Sequence, residues 1–148
     1  MAMITRQFRW QCERGAELIE FAIVAPILML LVAGIFDFGM MFRTYEAVTN
    51  AAREGARVGV LPGYAPADVQ SRVGQYLTAA GLSGTYTVNV ANVPIATGAG
   101  TFTATSVTVN SPYQFAVLGG VGPFFGGSFG SIPLRAVSVM RIEAAAAP

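Results

Sequence analysis

The sequence contains no histidine and no lysine, and its one cysteine is Cys12. Without histidine there is no imidazole base for Ser-His-Asp or Cys-His catalysis and no imidazole metal ligand. Without lysine there is no P-loop lysine, and a single cysteine cannot form a disulfide within the chain. An enzyme would have to work with carboxylates, arginines and hydroxyls alone. We therefore expect a protein that is not an enzyme, with no cofactor and no metal site.

Charge is also scarce. Charged residues make up 11% of the 148 residues, against about 25% in typical soluble domains, and mean hydropathy is +0.54. The formal net charge is +1, and no cluster of arginines provides the basic surface that nucleic acid binding needs. The composition predicts one small domain with a membrane anchor and no nucleic acid partner.

One long apolar stretch supplies that anchor. Phe21–Phe36 carries no charge, and beyond Asp37 the apolar character continues to Phe42. A transmembrane helix needs about 20 residues, whereas the apolar core of a cleaved signal has about 7–15 and is followed by an A-x-A cleavage site. Here the apolar stretch is longer, and no A-x-A pattern comes directly after it. A buried core helix is the other alternative, but too little chain remains after residue 60 to cover it. We predict a span at 21–42, with arginines balanced on its two sides so that charge sets no orientation.

The helix is predicted to continue beyond the membrane, from Ala16 to Val60, where Pro62 and Gly63 follow. Small residues recur every four positions on one face of its second half, which lets another backbone approach closely. They pack either on this chain's own sheet or on another subunit. These residues are Ala47, Ala51, Gly55 and Gly59.

The remaining residues, 61–148, predict an exported α+β head. A short helix opens at Pro66 and ends near Gly81, and period-two alternation then predicts a three- or four-stranded antiparallel sheet. A change of phase predicts a bulge near Thr105–Ser106. The last strand, Leu134–Glu143, is apolar on both faces, which favours a central position in the sheet.

Leu118–Pro133 shows neither helical nor strand periodicity and is predicted to be a glycine-rich loop. Its phenylalanines, Phe124, Phe125 and Phe129, either fold back as anchors or form a partner surface. The loop also contains G-x-S-x-G at 126–130, but that hydrolase motif needs a strand–turn–helix setting and a histidine. We interpret the match as chance.

The most informative motif is RGAELIEF, residues 14–21. It resembles the processing site of type IV prepilins and Flp-type pilins, in which a glycine precedes a glutamate by five positions at the start of an apolar span. The resemblance implies cleavage between Gly15 and Ala16 by a prepilin peptidase, leaving 1–15 as a cytoplasmic leader. It also implies that Glu20 sets subunit registry by pairing with a neighbour's new N-terminal amine. From the residues alone, Glu20 is more simply an interfacial carboxylate at a helix start.

The resemblance extends to RGAELIEFAIVAPILMLLVAGIFDFG and NAAREGAR, which are similar to the TadE-like family of the tight-adherence (Tad) pilus. It implies a pseudopilin or minor pilin for pilus assembly, initiation or capping and for surface attachment. Implied partners are other pilin subunits, the peptidase, an inner-membrane assembly platform and the bilayer. The implied location is the bacterial inner membrane, with a cytoplasmic N-terminus and a periplasmic head.

Two other functions remain open. The chain is either the main filament subunit, or a bitopic anchor whose exported head binds or scaffolds an envelope partner. The single acidic residue within the apolar stretch, Asp37, has two interpretations as well. It is an interfacial carboxylate at the end of the span or a partner for an arginine of another subunit.

Overall fold

The computed structural model describes residues 7–98, 100–127 and 129–142, with side chains described from Gly15 onward except at 124 and 125. It confirms an α+β architecture with a long N-terminal apolar helix, a short helix and a three-stranded antiparallel sheet. In chain order the elements are α1 (Gln7–Gly59), α2 (Pro66–Ala79), β1 (Thr87–Thr97), β2 (Gly100–Tyr113), α3 (Leu118–Val121), a 3₁₀ turn (Gly122–Phe125) and β3 (Ile132–Arg141).

Helix α1 has 53 residues, a length of about 80 Å at 1.5 Å per residue. It begins at Gln7, so helical backbone extends nine residues further toward the N-terminus than predicted, and it runs through Pro26. Its second half packs against α2 and the sheet, whereas its first half extends beyond both of them. Between Gly15 and Gly59 it is long and apolar enough to cross a membrane, with a mean hydropathy of 2.6 in its most apolar window.

Local signals fix both ends of α2 as predicted. Pro66 occupies its first turn, and the Asp68 carboxylate accepts a hydrogen bond from the Ala65 N–H at 2.8 Å. At the other end Gly81 has a φ of +83°. The N–H groups of Gly81 and Leu82 bond the carbonyls of Thr78 and Leu77 at 3.0 and 2.9 Å, which is the Schellman pattern that closes a helix.

The sheet has the order β1-β2-β3, and both antiparallel registers run without interruption. The predicted bulge near Thr105–Ser106 is therefore wrong. Thr105 occupies the same face as Val107 and Val109, toward α1, and its hydroxyl donates to the Gly59 carbonyl at 3.1 Å. The alternation of apolar residues along β2 changes phase because Thr105, a polar residue, occupies an inward-facing position. Its hydroxyl hydrogen-bonds the last residue of α1.

Strand β3 lies at the edge of the described sheet, so its predicted central position is wrong. Leu134 and Ala136 face the core and are buried, whereas Val137 and Val139 on the opposite face are 52% and 47% exposed. Although β3 has apolar residues on both faces, only one face is buried and the other is exposed. The central strand of the sheet is β2.

The predicted loop at 118–133 is only partly a loop. It opens with the single turn of α3 and the 3₁₀ turn before reaching β3. Periodicity could not reveal elements this short, because four residues contain one helical turn.

The core of the head lies between the second half of α1, α2 and the inner face of the sheet. Alanines and valines dominate it, which allows the helices to approach closely. Its buried members are Val48, Ala51, Ala52, Ala56, Val69, Val73, Leu77, Val107, Val109 and Ala136.

Candidate functional site: the membrane helix and its contacts

The residues of the pilin-like motif lie on uninterrupted α1 backbone. Ala16 and Glu20 are exposed, and their spacing of four residues places them on one face, about 6 Å apart along the helix axis. A Cβ atom built on Gly15 would meet no other atom within 4 Å. The arrangement leaves Ala16 and the Glu20 side chain exposed and Gly15 half-buried.

Beyond Glu20 the helix presents apolar side chains on all sides. A helix that is apolar all round requires burial in a membrane or a protein assembly. The exposed fractions remain near one half or above over almost the whole stretch, including Phe21 69%, Ile27 65%, Met29 74%, Leu31 57%, Ile35 67% and Phe42 62%.

The exception to this pattern is Asp37, whose side chain is fully buried. Its Oδ2 accepts hydrogen bonds from the Leu118 N–H at 2.7 Å and the Val117 N–H at 3.0 Å, and its Oδ1 accepts from the Ala116 N–H at 3.2 Å. Three consecutive backbone donors at the start of α3 thus surround one carboxylate of α1. Such bonds to a charged acceptor are stronger than neutral ones.

This geometry corrects the interpretation of Asp37 as a partner for an arginine of another subunit. In the monomer both carboxylate oxygens already accept hydrogen bonds from the backbone of the same chain. The donors come from residues 79 to 81 positions away. Sequence reasoning missed the contact because backbone N–H groups leave no mark in the sequence. The one available signal was an acidic residue in an otherwise uncharged span.

Aromatic residues surround this contact. The Tyr113 hydroxyl donates to the Asp37 backbone carbonyl at 3.1 Å. Burial and, secondly, the charge of Asp37 raise the pKa of Tyr113 above its ordinary value of 10.0. Phe115 makes edge-to-face contacts with Phe38, Tyr113 and Phe129, at ring-centroid distances of 6.2, 5.7 and 6.1 Å. The end of β2 is thereby joined to α1 just beyond Asp37.

The small-residue stripe lies where α1 meets the head. Ala51 and Gly55 are buried, and Ala47 and Gly59 are half-buried. A Cβ atom on Gly55 would lie 2.5 Å from Val73 Cγ2 and 3.2 Å from Val107 Cγ1, and one on Gly59 would lie 2.8 Å from Thr105 Cγ2. In the monomer, therefore, the C-terminal part of the stripe contacts α2 and β2 of its own chain.

A charged contact on the surface joins the same two helices. Arg72 of α2 donates through Nη2 and Nε to Glu54 Oε1 at 3.0 and 3.2 Å, and Arg57 lies 3.9 Å from the other oxygen of Glu54. Exposed pairs of this kind contribute about 0–1 kcal/mol. The ion pairs of Glu54 with Arg72 and Arg57 therefore orient α2 on α1 but add little to the stability of the head.

Of the three loop phenylalanines, Phe129 is 48% exposed and packs on Phe115. The side chains of Phe124 and Phe125 lie outside the described part of the chain, as does Ser128 of the G-x-S-x-G match. Within the described residues, no three histidine, cysteine, aspartate or glutamate side chains group as metal ligands.

These features converge on one segment: a carboxylate after a glycine, an apolar span with Asp37 near its end, and a small-residue helix carrying Glu54. The same segment carries a family match. Residues 15–57 match the family model described as TadE-like protein. The matched region covers less than a third of the chain, and it includes Gly15, Glu20, Asp37 and Gly55 but not Gly59.

The match confirms the resemblance found in the sequence, and it supports a protein associated with the Tad pilus. The single N-terminal apolar helix fits a single-pass membrane protein. No curated protein and no solved structure matches the chain.

Proposed function

We propose that this protein is a pseudopilin, or minor pilin, of a Tad pilus, acting in assembly, initiation or capping and in surface attachment. The observation that carries the proposal is the TadE-like match over a helix whose first half is exposed and apolar. Such a helix suits two environments in turn, the inner membrane before assembly and the packed core of a filament afterwards. The role is non-enzymatic.

In this proposal a prepilin peptidase cuts between Gly15 and Ala16 on the cytoplasmic side, with the head on the periplasmic side. The new amine of Ala16 then pairs with Glu20 of a neighbouring pilin subunit during assembly at an inner-membrane platform. The exposure of Glu20 supports this. Two opposite charges that share hydrogen bonds in an apolar bundle cost far less than either buried alone.

The test is Glu20→Gln, with Glu17→Gln as its matched control. Both are exposed carboxylates of α1, three positions apart, and only Glu20 occupies the registry position. We expect Glu20→Gln to insert into membranes normally but to reduce pilus assembly by about tenfold or more, because breaking a buried pair costs about 3–5 kcal/mol. Glu17→Gln should assemble like the native chain.

Pilus number by electron microscopy and the content of sheared filaments provide the readouts. Normal piliation with Glu20→Gln would contradict the registry role and favour the bitopic anchor. The amount of native protein in sheared filaments separates the remaining roles. A minor pilin is scarce there, and the main filament subunit is abundant.

A further inference from the structure

The residues that follow the hydrogen bonds to Asp37, from Ala116 to Val121, lie alongside the apolar first half of α1. Val117 borders a groove with Leu28, Met29, Val32, Ala33 and Phe36 of α1. Val121, further along the segment, borders a second groove with Pro26, Met29, Leu30 and Ala33. Both grooves are lined by apolar residues alone. The turn of α3 therefore lies beside the span and not beside the globular head.

The depth of this segment follows from the charges on α1. Glu20 and Arg43 bracket the stretch in which Asp37 is the one charged residue, and their separation of 23 residues corresponds to about 35 Å. Pro26 lies 17 residues before Arg43, about 25 Å along the axis. If 21–42 spans a hydrocarbon core about 30 Å thick, Asp37 lies inside it, and Val121 lies near its middle.

Most backbone N–H groups of residues 116–123 have a hydrogen-bond partner within the protein. In hydrocarbon, a polar backbone group needs a partner within the protein. Asp37 accepts from the N–H groups of 116, 117 and 118. The N–H groups of Gly120 and Val121 bond the Val117 carbonyl at 3.2 and 3.1 Å, that of Gly122 bonds the Leu118 carbonyl, and Pro123 has no N–H.

We propose that Phe115–Pro123 is a re-entrant membrane segment, which enters the outer leaflet beside the span and contacts lipid acyl chains. Asp37 is its tether, because it supplies the acceptors that the first turn needs in the absence of water. The segment carries no charge, and no charged residue occurs between Arg72 and Arg135. This inference rests on the membrane span that the proposed function also requires.

Depth-dependent quenching tests the proposal on the full chain with Cys12→Ser. Gly120→Cys places a fluorescent maleimide on the segment, at an exposed position where a Cβ meets no atom within 4 Å. Leu31→Cys labels the span, where the native side chain is 57% exposed, and Ser83→Cys labels the exposed surface of the head. The protein is reconstituted at low density in phosphatidylethanolamine–phosphatidylglycerol vesicles that contain lipids with a nitroxide midway along the acyl chain.

We expect the probes at Gly120 and Leu31 to lose similar fractions of their fluorescence to the nitroxide lipid and to resist aqueous iodide. The probe at Ser83 should be quenched by aqueous iodide and not by the nitroxide lipid. A Gly120 probe that behaves like the Ser83 probe, while Leu31 is quenched by lipid, would overturn the re-entrant segment and leave the span intact. A Gly120 probe shielded from both quenchers would overturn it in favour of a protein neighbour. If the Leu31 probe also escapes lipid quenching, the span itself is wrong.

The tether is tested by adding Asp37→Ala to the Gly120-labelled chain, with Glu46→Ala as the control. Glu46 is an exposed carboxylate of the same helix. Loss of Asp37 should move the Gly120 probe from lipid quenching to iodide quenching, and loss of Glu46 should change neither. Unchanged lipid quenching with Asp37→Ala, with the head shown to be folded by the near-ultraviolet circular dichroism of its tyrosines, would overturn the tether.

Discussion

At the scale of single residues, Asp37 shows how an acidic side chain can be stable inside an apolar stretch. A buried carboxylate is costly unless hydrogen bonds satisfy it, and here three consecutive N–H groups approach its two oxygens at 2.7 to 3.2 Å. The same bonds satisfy the unpaired donors at the start of α3. Carboxylate and turn therefore depend on each other.

We predict that Asp37→Ala exposes the amides of Ala116, Val117 and Leu118 to exchange. Removing the acceptor leaves the three backbone donors, of which that of Leu118 is buried, without their partner, at a cost of about 3 kcal/mol for the local contact. Their hydrogen-exchange protection in detergent micelles should fall by at least about tenfold, as measured by mass spectrometry. Glu46→Ala should leave their exchange unchanged. Equal protection in native and Asp37→Ala chains would show that the contact does not hold the segment.

At the scale of elements, the sequence patterns predicted those parts of the fold that have strong local signals. The boundaries of α2 followed from Pro66 and Gly81, and the alternation of Tyr86, Val88 and Val90 predicted β1. Strand order and the course of residues 118–125 could not be predicted in this way. Both depend on contacts between distant residues, such as Thr105 with Gly59 and Asp37 with Leu118.

Gly55 provides the test of packing between elements. We predict that Gly55→Leu destabilises the head by about 1–3 kcal/mol, because a side chain there must displace Val73 and Val107 in a close-packed core. The melting temperature, followed by near-ultraviolet circular dichroism of the head tyrosines in detergent, should fall by several degrees.

Gly39→Leu is the matched control for this change. It places the same side chain on the same helix, at a position where a Cβ meets no atom within 4 Å, and it should leave the melting temperature nearly unchanged. Equal melting of the two variants would mean that the close contact of α1 with α2 and β2 does not stabilise the head.

At the scale of the whole molecule, one helix serves two functions. Its second half is part of the head core, and its first half presents exposed apolar side chains that fit a membrane span. The sequence predicted this division from charge and hydropathy, and it placed Gly15, Ala16 and Glu20 on the exposed half. The exposure of Ala16 and Glu20 is a property of the monomer, whereas the proposed roles of all three residues require a peptidase and neighbouring subunits.

Prepilin-type processing is the claim on which the registry role of Glu20 depends, since the pairing amine exists only after cleavage. The intact mass and N-terminal sequence of the native protein, purified from membranes of cells that express its peptidase, test this claim most directly. We predict a chain that begins at Ala16. A chain that retains Met1–Gly15 under those conditions would contradict the proposed processing and favour a permanent membrane anchor.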